Sequence, residues 1–278
     1  MTTALLATVA ALGWGAADYC GARASRNVPA HRVVFLSQVL SLPVIAVWLA
    51  ATTARRPGPG DLIWGLGAGA FGLLGMVLLY RTLASEGIVL VAPVTAVTVA
   101  LVPLAVGLFI QSAPGLFALC GVFCALASIA LVSPVGRIRR DSIASRTLLL
   151  ALATGGALGL QLVCLSHPGP GAGLWPLAGA RVFSILCVAP RALRGRQPTR
   201  TARVPWLLVV LAGALDTAAF AFYLFAMDRG LLSVVGPVVS LYPAATVVLA
   251  LALDGERVTI HQAFGLCLGA GALLLVAL

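Results

Sequence analysis

The sequence contains no lysine, and charged side chains of any kind make up 9% of it: all 18 cations are arginines, set against 8 acidic residues. Aromatic residues are scarce at 7%, and the six cysteines lie inside apolar stretches with no CxxC pair. Each shortage excludes something. A lysine nucleophile is impossible, and a disulfide framework or zinc centre needs thiols and imidazoles at ligand spacing. The cysteines read as small apolar fillers. The three histidines stand apart, His31 and His261 at helix starts and His167 in the turn His-Pro-Gly-Pro-Gly. No metal and no cofactor is expected. A membrane-embedded enzyme would need His, Asp, Glu or Lys gathered at one membrane face; no such cluster exists, so the chain is not read as an enzyme.

What the sequence does contain is apolar surface. With 61% hydrophobic residues over 278 positions, one water-soluble core could not hide it. Lipid is the expected solvent. The net charge of +10 is spread between apolar runs instead of being gathered on one solvated face. Nucleic acid is therefore excluded as a partner, and anionic lipid headgroups are favoured.

A transmembrane helix needs about 20 mostly apolar residues. Ten such segments occur, over residues 3–22, 31–52, 61–82, 89–109, 114–133, 146–166, 173–192, 204–227, 231–252 and 259–278. The predicted fold class is an all-α integral membrane protein with ten transmembrane helices. The amino terminus lacks a basic region and a small-residue cleavage site, so the first segment is read as a retained helix. Fourteen arginines, from Arg23, Arg26 and Arg32 to Arg203 and Arg257, fall on the side reached after odd-numbered segments; Arg55, Arg56 and Arg229 fall on the other. The positive-inside rule makes the first side cytoplasmic and puts both termini outside, and the plasma membrane of a bacterium is the expected location.

Shifted by 143 residues, the chain lays Gln38 on Arg181, Asp18 on Gln161, Tyr80 on Tyr223 and Gly87 on Gly230; at 144, Pro93 meets Pro237 and Gly121 meets Gly265. One module is written twice, over residues 1–134 and 146–278. Each copy holds five segments, an odd number, so the second runs upside down relative to the first. Inverted repeats of this kind enclose a central site in many transporters.

Charges at bilayer depth cost at least about 2.5–3.5 kcal/mol each at a helix centre. Arg181 is ten residues and Asp216 eleven from the same membrane face, so both lie about 15 Å deep on consecutive helices. They are expected to face each other or to share a water-filled cavity, either as a static ion pair or as parts of a mechanism. Asp18 sits nearer that face, where it contacts substrate or simply reaches water. Gln38, Gln161, Tyr80, Tyr223 and Tyr242 are polar groups at lipid depth, suited to interhelical hydrogen bonds or substrate contact. Trp14, beside Gly15, is either a packing residue or a cavity wall. Internal prolines, Pro93 and Pro103 in segment 4 and Pro237 and Pro243 in segment 9, remove backbone hydrogen bonds and mark either candidate gates at a substrate site or static kinks for packing. Residues 67–72 spell GxGxxG inside an apolar helix, where no dinucleotide fold can form; with Gly65/Gly69, Gly155/Gly159 and Gly265/Gly269 they read as close helix contacts.

The run Val234-Val-Gly-Pro-Val-Val-Ser-Leu-Tyr-Pro-Ala-Ala-Thr246, then Asp254-Gly-Glu-Arg-Val-Thr and Gln262-Ala-Phe-Gly265, resembles the second-half signature of the EamA family in the drug/metabolite transporter superfamily. Trp14-Gly-Ala-Ala-Asp18, Tyr80-Arg-Thr-Leu-Ala-Ser-Glu-Gly87 and Val91-Ala-Pro93 agree in the first half. One departure is Gln111-Ser112, where the family often has Gly-Glu. The resemblance implies two inverted five-helix repeats moving a small metabolite, amino acid or drug-like solute by alternating access, usually outward, with helices 3, 4, 8 and 9 around the cavity. A lipid or lipid-linked-intermediate flippase shares this fold and is the alternative. Partners are thus a small-molecule substrate and membrane lipids.

Overall fold

A computed structural model describes residues 2–26, 28–51, 56–83, 88–132, 145–169, 171–194, 204–254 and 259–277; these are helical with short connectors, and no strand occurs among them. The helices are α1 Thr2–Ser25, α2 Ala30–Ala51, α3 Pro59–Leu83, α4 Ile88–Ile110, α5 Leu116–Val132, α6 Ser145–Ser166, α7 Trp175–Arg194, α8 Trp206–Met227, α9 Leu232–Val239, α10 Tyr242–Asp254 and α11 Ile260–Ala277. Six described stretches are long and apolar enough to cross a membrane.

The ninth segment is broken and the fourth is not. Pro243 has no N–H for the carbonyl of Val239, so the ladder cannot pass through it. Instead Leu241 N–H turns back to the carbonyl of Val238 at 3.1 Å, and Ser240 Oγ donates to that of Gly236 at 2.8 Å. Pro237 is buried inside α9. In the first half the position matching Pro243 is Val99 or its neighbour, and α4 runs on past Pro103 as one helix.

The packing is interchangeable between halves. α1 packs on α8 as α3 does on α6; α2 packs on α8 as α7 does on α3; α4 lies on α6 as α10 lies on α1; and α5 meets α11. A swap of each helix for its counterpart maps these pairs onto one another. Glycines bring the helices close where lipid supplies no drive to associate. A Cβ on Gly65 would lie 2.5 Å from the carbonyl oxygen of Pro176, and one on Gly69 would lie 2.7 Å from that of Ala180, both on α7.

Two polar ties join the halves at helix ends. Asp61, buried at the start of α3, accepts from Gly58 N–H at 2.8 Å and from Gly169 N–H at 3.3 Å, pinning the α6–α7 turn. In the same region His167 stacks on Trp64 with ring centroids 4.3 Å apart. Gln111, the departure from the family pattern, follows α4, and its Oε1 accepts the N–H of Leu232 at 2.7 Å. Leu231, the residue that opens α9, gives no side-chain cap, so Gln111 caps that helix from the other half. Gln111→Ala is expected to lower stability by about 1 kcal/mol, whereas Gln111→Glu keeps the acceptor and the stability. Thermal unfolding in detergent of the two variants checks this.

Candidate functional site

Antiparallel helices bring the ends of α1, α3 and α7 together with the beginnings of α2 and α8, and a cavity of about 470 Å³ lies between them. Its walls come from α1, α2, α3, α6, α7 and α8; α4, α9 and α10 contribute none of the described lining residues. Among the described residues, helices 3 and 8 contribute to the cavity, as the family resemblance implied for them. The lining runs from mid-helix, at Asp18, Arg181 and Asp216, to Ser25 and Val188 at the end that carries Arg23, Arg26 and Arg32. Toward the opposite end the bundle is filled by Ala7, Ala10, Trp14, Leu165, Tyr223 and Val235.

Residues matched by the internal repeat converge here. Asp18 and Gln161, and Gln38 and Arg181, all line the cavity; so do Ser37 with Ala180 and Leu73 with Asp216 at the same shift. The repeat does not extend to charge, because Asp216 is matched by Leu73, Asp18 by Gln161 and Arg181 by Gln38.

Arg181 Nη2 donates to Oδ2 of Asp216, joining α7 to α8. The guanidinium carbon also lies 5.2 Å from the ring centroid of Phe220, one turn along α8, a cation–π contact. Arg181 is buried, and neither its Nε nor the buried Oε1 of Gln38 has a hydrogen-bond partner among the described residues. Asp18 is exposed to the cavity and makes no hydrogen bond or ion pair among the described residues. Gln161 sits over Gly72, where a Cβ would lie 2.7 Å from its amide carbon. That glycine makes room for the side chain.

The remaining predicted residues stand behind the cavity or outside the description. Trp14 packs edge-on against Phe220 at 4.8 Å between ring centroids and lies 6.0 Å from Tyr223. Tyr223 is fully buried, and its hydroxyl donates to the carbonyl of Leu162 at 2.7 Å, an interhelical tie. Tyr242 opens α10, and its carbonyl accepts from Thr246, whose hydroxyl also reaches that of Gly15 on α1. Pro103 packs against Gly236, the residue before Pro237 in α9. Tyr80 and Pro93 fall in α3 and α4, and their side chains lie outside the described residues. Sequence reasoning passed over Phe220, Gly72, Ser37 and Ser184 in the wall. Phe220, four residues after Asp216, could have been found from helical spacing alone.

A bundle of apolar helices in two exchangeable halves around one charged pocket is the architecture of a membrane transport protein. The EamA-like transporter family model matches residues 1–133 and again residues 146–278, and the chain belongs to that family. A crystal structure is similar over 98% of this chain and 95% of its own, with a TM-score of 0.76 and 18% identity, which is a likeness of fold. No curated protein matches the chain.

Proposed function

We propose that the chain is a secondary transporter, and not an enzyme, that carries a small organic solute out of the cell by alternating access. The observation that supports this best is the convergence of repeat-matched polar residues on one cavity, reaching one end of the bundle and backed by a packed core toward the other. In this reading the ten segments span the bilayer, residues 1–134 and 146–278 are inverted repeats, and both termini lie outside. The arginine-rich end is then cytoplasmic, and the cavity is in its inward-open state. Asp18, Gln38, Gln161, Arg181 and Asp216 contact the solute, with Phe220 as an apolar wall. Opening outward would part the Trp14–Phe220–Tyr223 cluster, which makes it the closed gate.

Protein-dependent counterflow in liposomes tests this. Metabolite comparison of cells with and without the protein supplies candidate solutes, and the purified protein is expected to accelerate the exchange of at least one. Movement of a labelled lipid with no movement of any water-soluble candidate would replace this reading with a flippase.

A further inference from the structure

Among the described residues three charged side chains line the cavity, and two of them neutralise each other. Arg181 is committed to Asp216 and covers the Phe220 ring, so its charge is offset before any solute arrives. Asp18 is left over, exposed to the cavity and without an ion pair or hydrogen bond among the described residues. An unpaired carboxylate in a membrane interior is costly, and it persists where function supplies the missing partner. A buried arginine could instead hold an anionic group. The pairing geometry removes Arg181 from that role.

The surroundings favour a cation in further respects. Gln38, on the helix that follows Asp18, has an Oε1 with no donor among the described residues, and the hydroxyls of Ser25 and Ser37 add acceptor atoms to the same wall. An anion would meet Asp18 unshielded and would have to pull Arg181 from Asp216; an ammonium group would need neither change. At about 470 Å³ the cavity takes a solute of metabolite or small-drug size.

We infer that the cavity selects a small organic cation, an amine carrying one positive charge, with Asp18 as its counter-charge and Gln38 as a hydrogen-bond acceptor beside it. This rests on the transporter reading for its cargo role, and it names the solute class of that same site.

Three probes that share a phenyl ring and a similar chain test it: phenethylamine as the cation, phenethyl alcohol as the neutral analogue and phenylpropionate as the anion. Binding is measured to the purified protein in lipid nanodiscs at mildly alkaline pH, where a carboxylate holds its charge. The amine is expected to bind at least about tenfold more tightly than the other two. Asp18→Asn is expected to cut amine affinity about tenfold or more and to leave the alcohol within about twofold, while Asp18→Glu retains the preference. Anion binding equal to or tighter than amine binding, no amine binding, or unchanged amine affinity in Asp18→Asn would overturn the inference. Should Asp18→Asn fail to fold, the order of the three probes on the unaltered protein and on Asp18→Glu decides the matter. Flux in liposomes keeps the two readings apart. Asp18-dependent amine binding without movement leaves the cation site standing and sinks transport, whereas movement of an acid or neutral solute with no amine binding does the reverse.

Discussion

Replacing Arg181 by methionine is expected to abolish transport and to destabilise the protein by less than the about 3–5 kcal/mol of a fully buried pair, because the Asp216 side chain it leaves without a partner is 30% exposed. Asp216→Leu should be comparably damaging, since it leaves a buried guanidinium with only the Phe220 ring for company. The double variant is the informative one. Paired hydrophobic replacements of a buried ion pair are often neutral or stabilising, so the combination should regain most of the lost stability while transport stays absent. Unfolding in detergent measures the first quantity and solute counterflow the second. If Arg181→Met unfolds like the unaltered protein, the pair is solvated and holds nothing together. If the double variant recovers transport as well, the pair is only a structural clamp.

Much of this was legible in the sequence because membrane helices declare themselves locally. Hydrophobic length set the helices to within a few residues of their observed ends, as with 31–52 against Ala30–Ala51. The internal repeat identified four cavity residues before any contact was known, since positions kept polar at the same register in both modules have a shared reason to avoid lipid. Depth arithmetic placed Arg181 and Asp216 together. What failed to show was orientation and partnership. Tyr223 and Gln161 are both polar at lipid depth, yet one turns into the core to bond Leu162 and the other faces the cavity. A period of 3.6 residues in a helix apolar on every side carries no signal to separate them. The ties made by Asp61 and Gln111 join residues more than a hundred positions apart, and only the fold brings such ends together. The charge balance of the site turned on the same thing, since among the described lining residues Arg181 pairs with Asp216 and leaves Asp18 without an ion pair.

Two neighbouring glycines should respond to the same substitution with opposite sign. A Cβ on Gly155 would lie 2.6 Å from the carbonyl oxygen of Thr95 and 2.6 Å from Cβ of Thr98, where α6 rests on α4. Gly155→Ala is therefore expected to cost about 1–3 kcal/mol. Gly156 has nothing within 4 Å of the added carbon, and there alanine should stabilise by about 0.5–1 kcal/mol through lower backbone entropy in the unfolded chain. Matched unfolding curves for the two variants test this, and equal responses would mean that α4 and α6 do not approach as closely as described. Gly69→Ala extends the test to function. Its added carbon would press 2.7 Å from the carbonyl oxygen of Ala180 and 3.0 Å from its Cα, and Ala180 immediately precedes Arg181. Pushing α7 off α3 at that level displaces the guanidinium from Asp216, so transport should fall by more than the stability loss alone accounts for. A Gly69→Ala protein with lowered stability and full transport per folded molecule would show that the position of Arg181 tolerates such a shift, and that the ion pair is not held in place by the glycine face of α3.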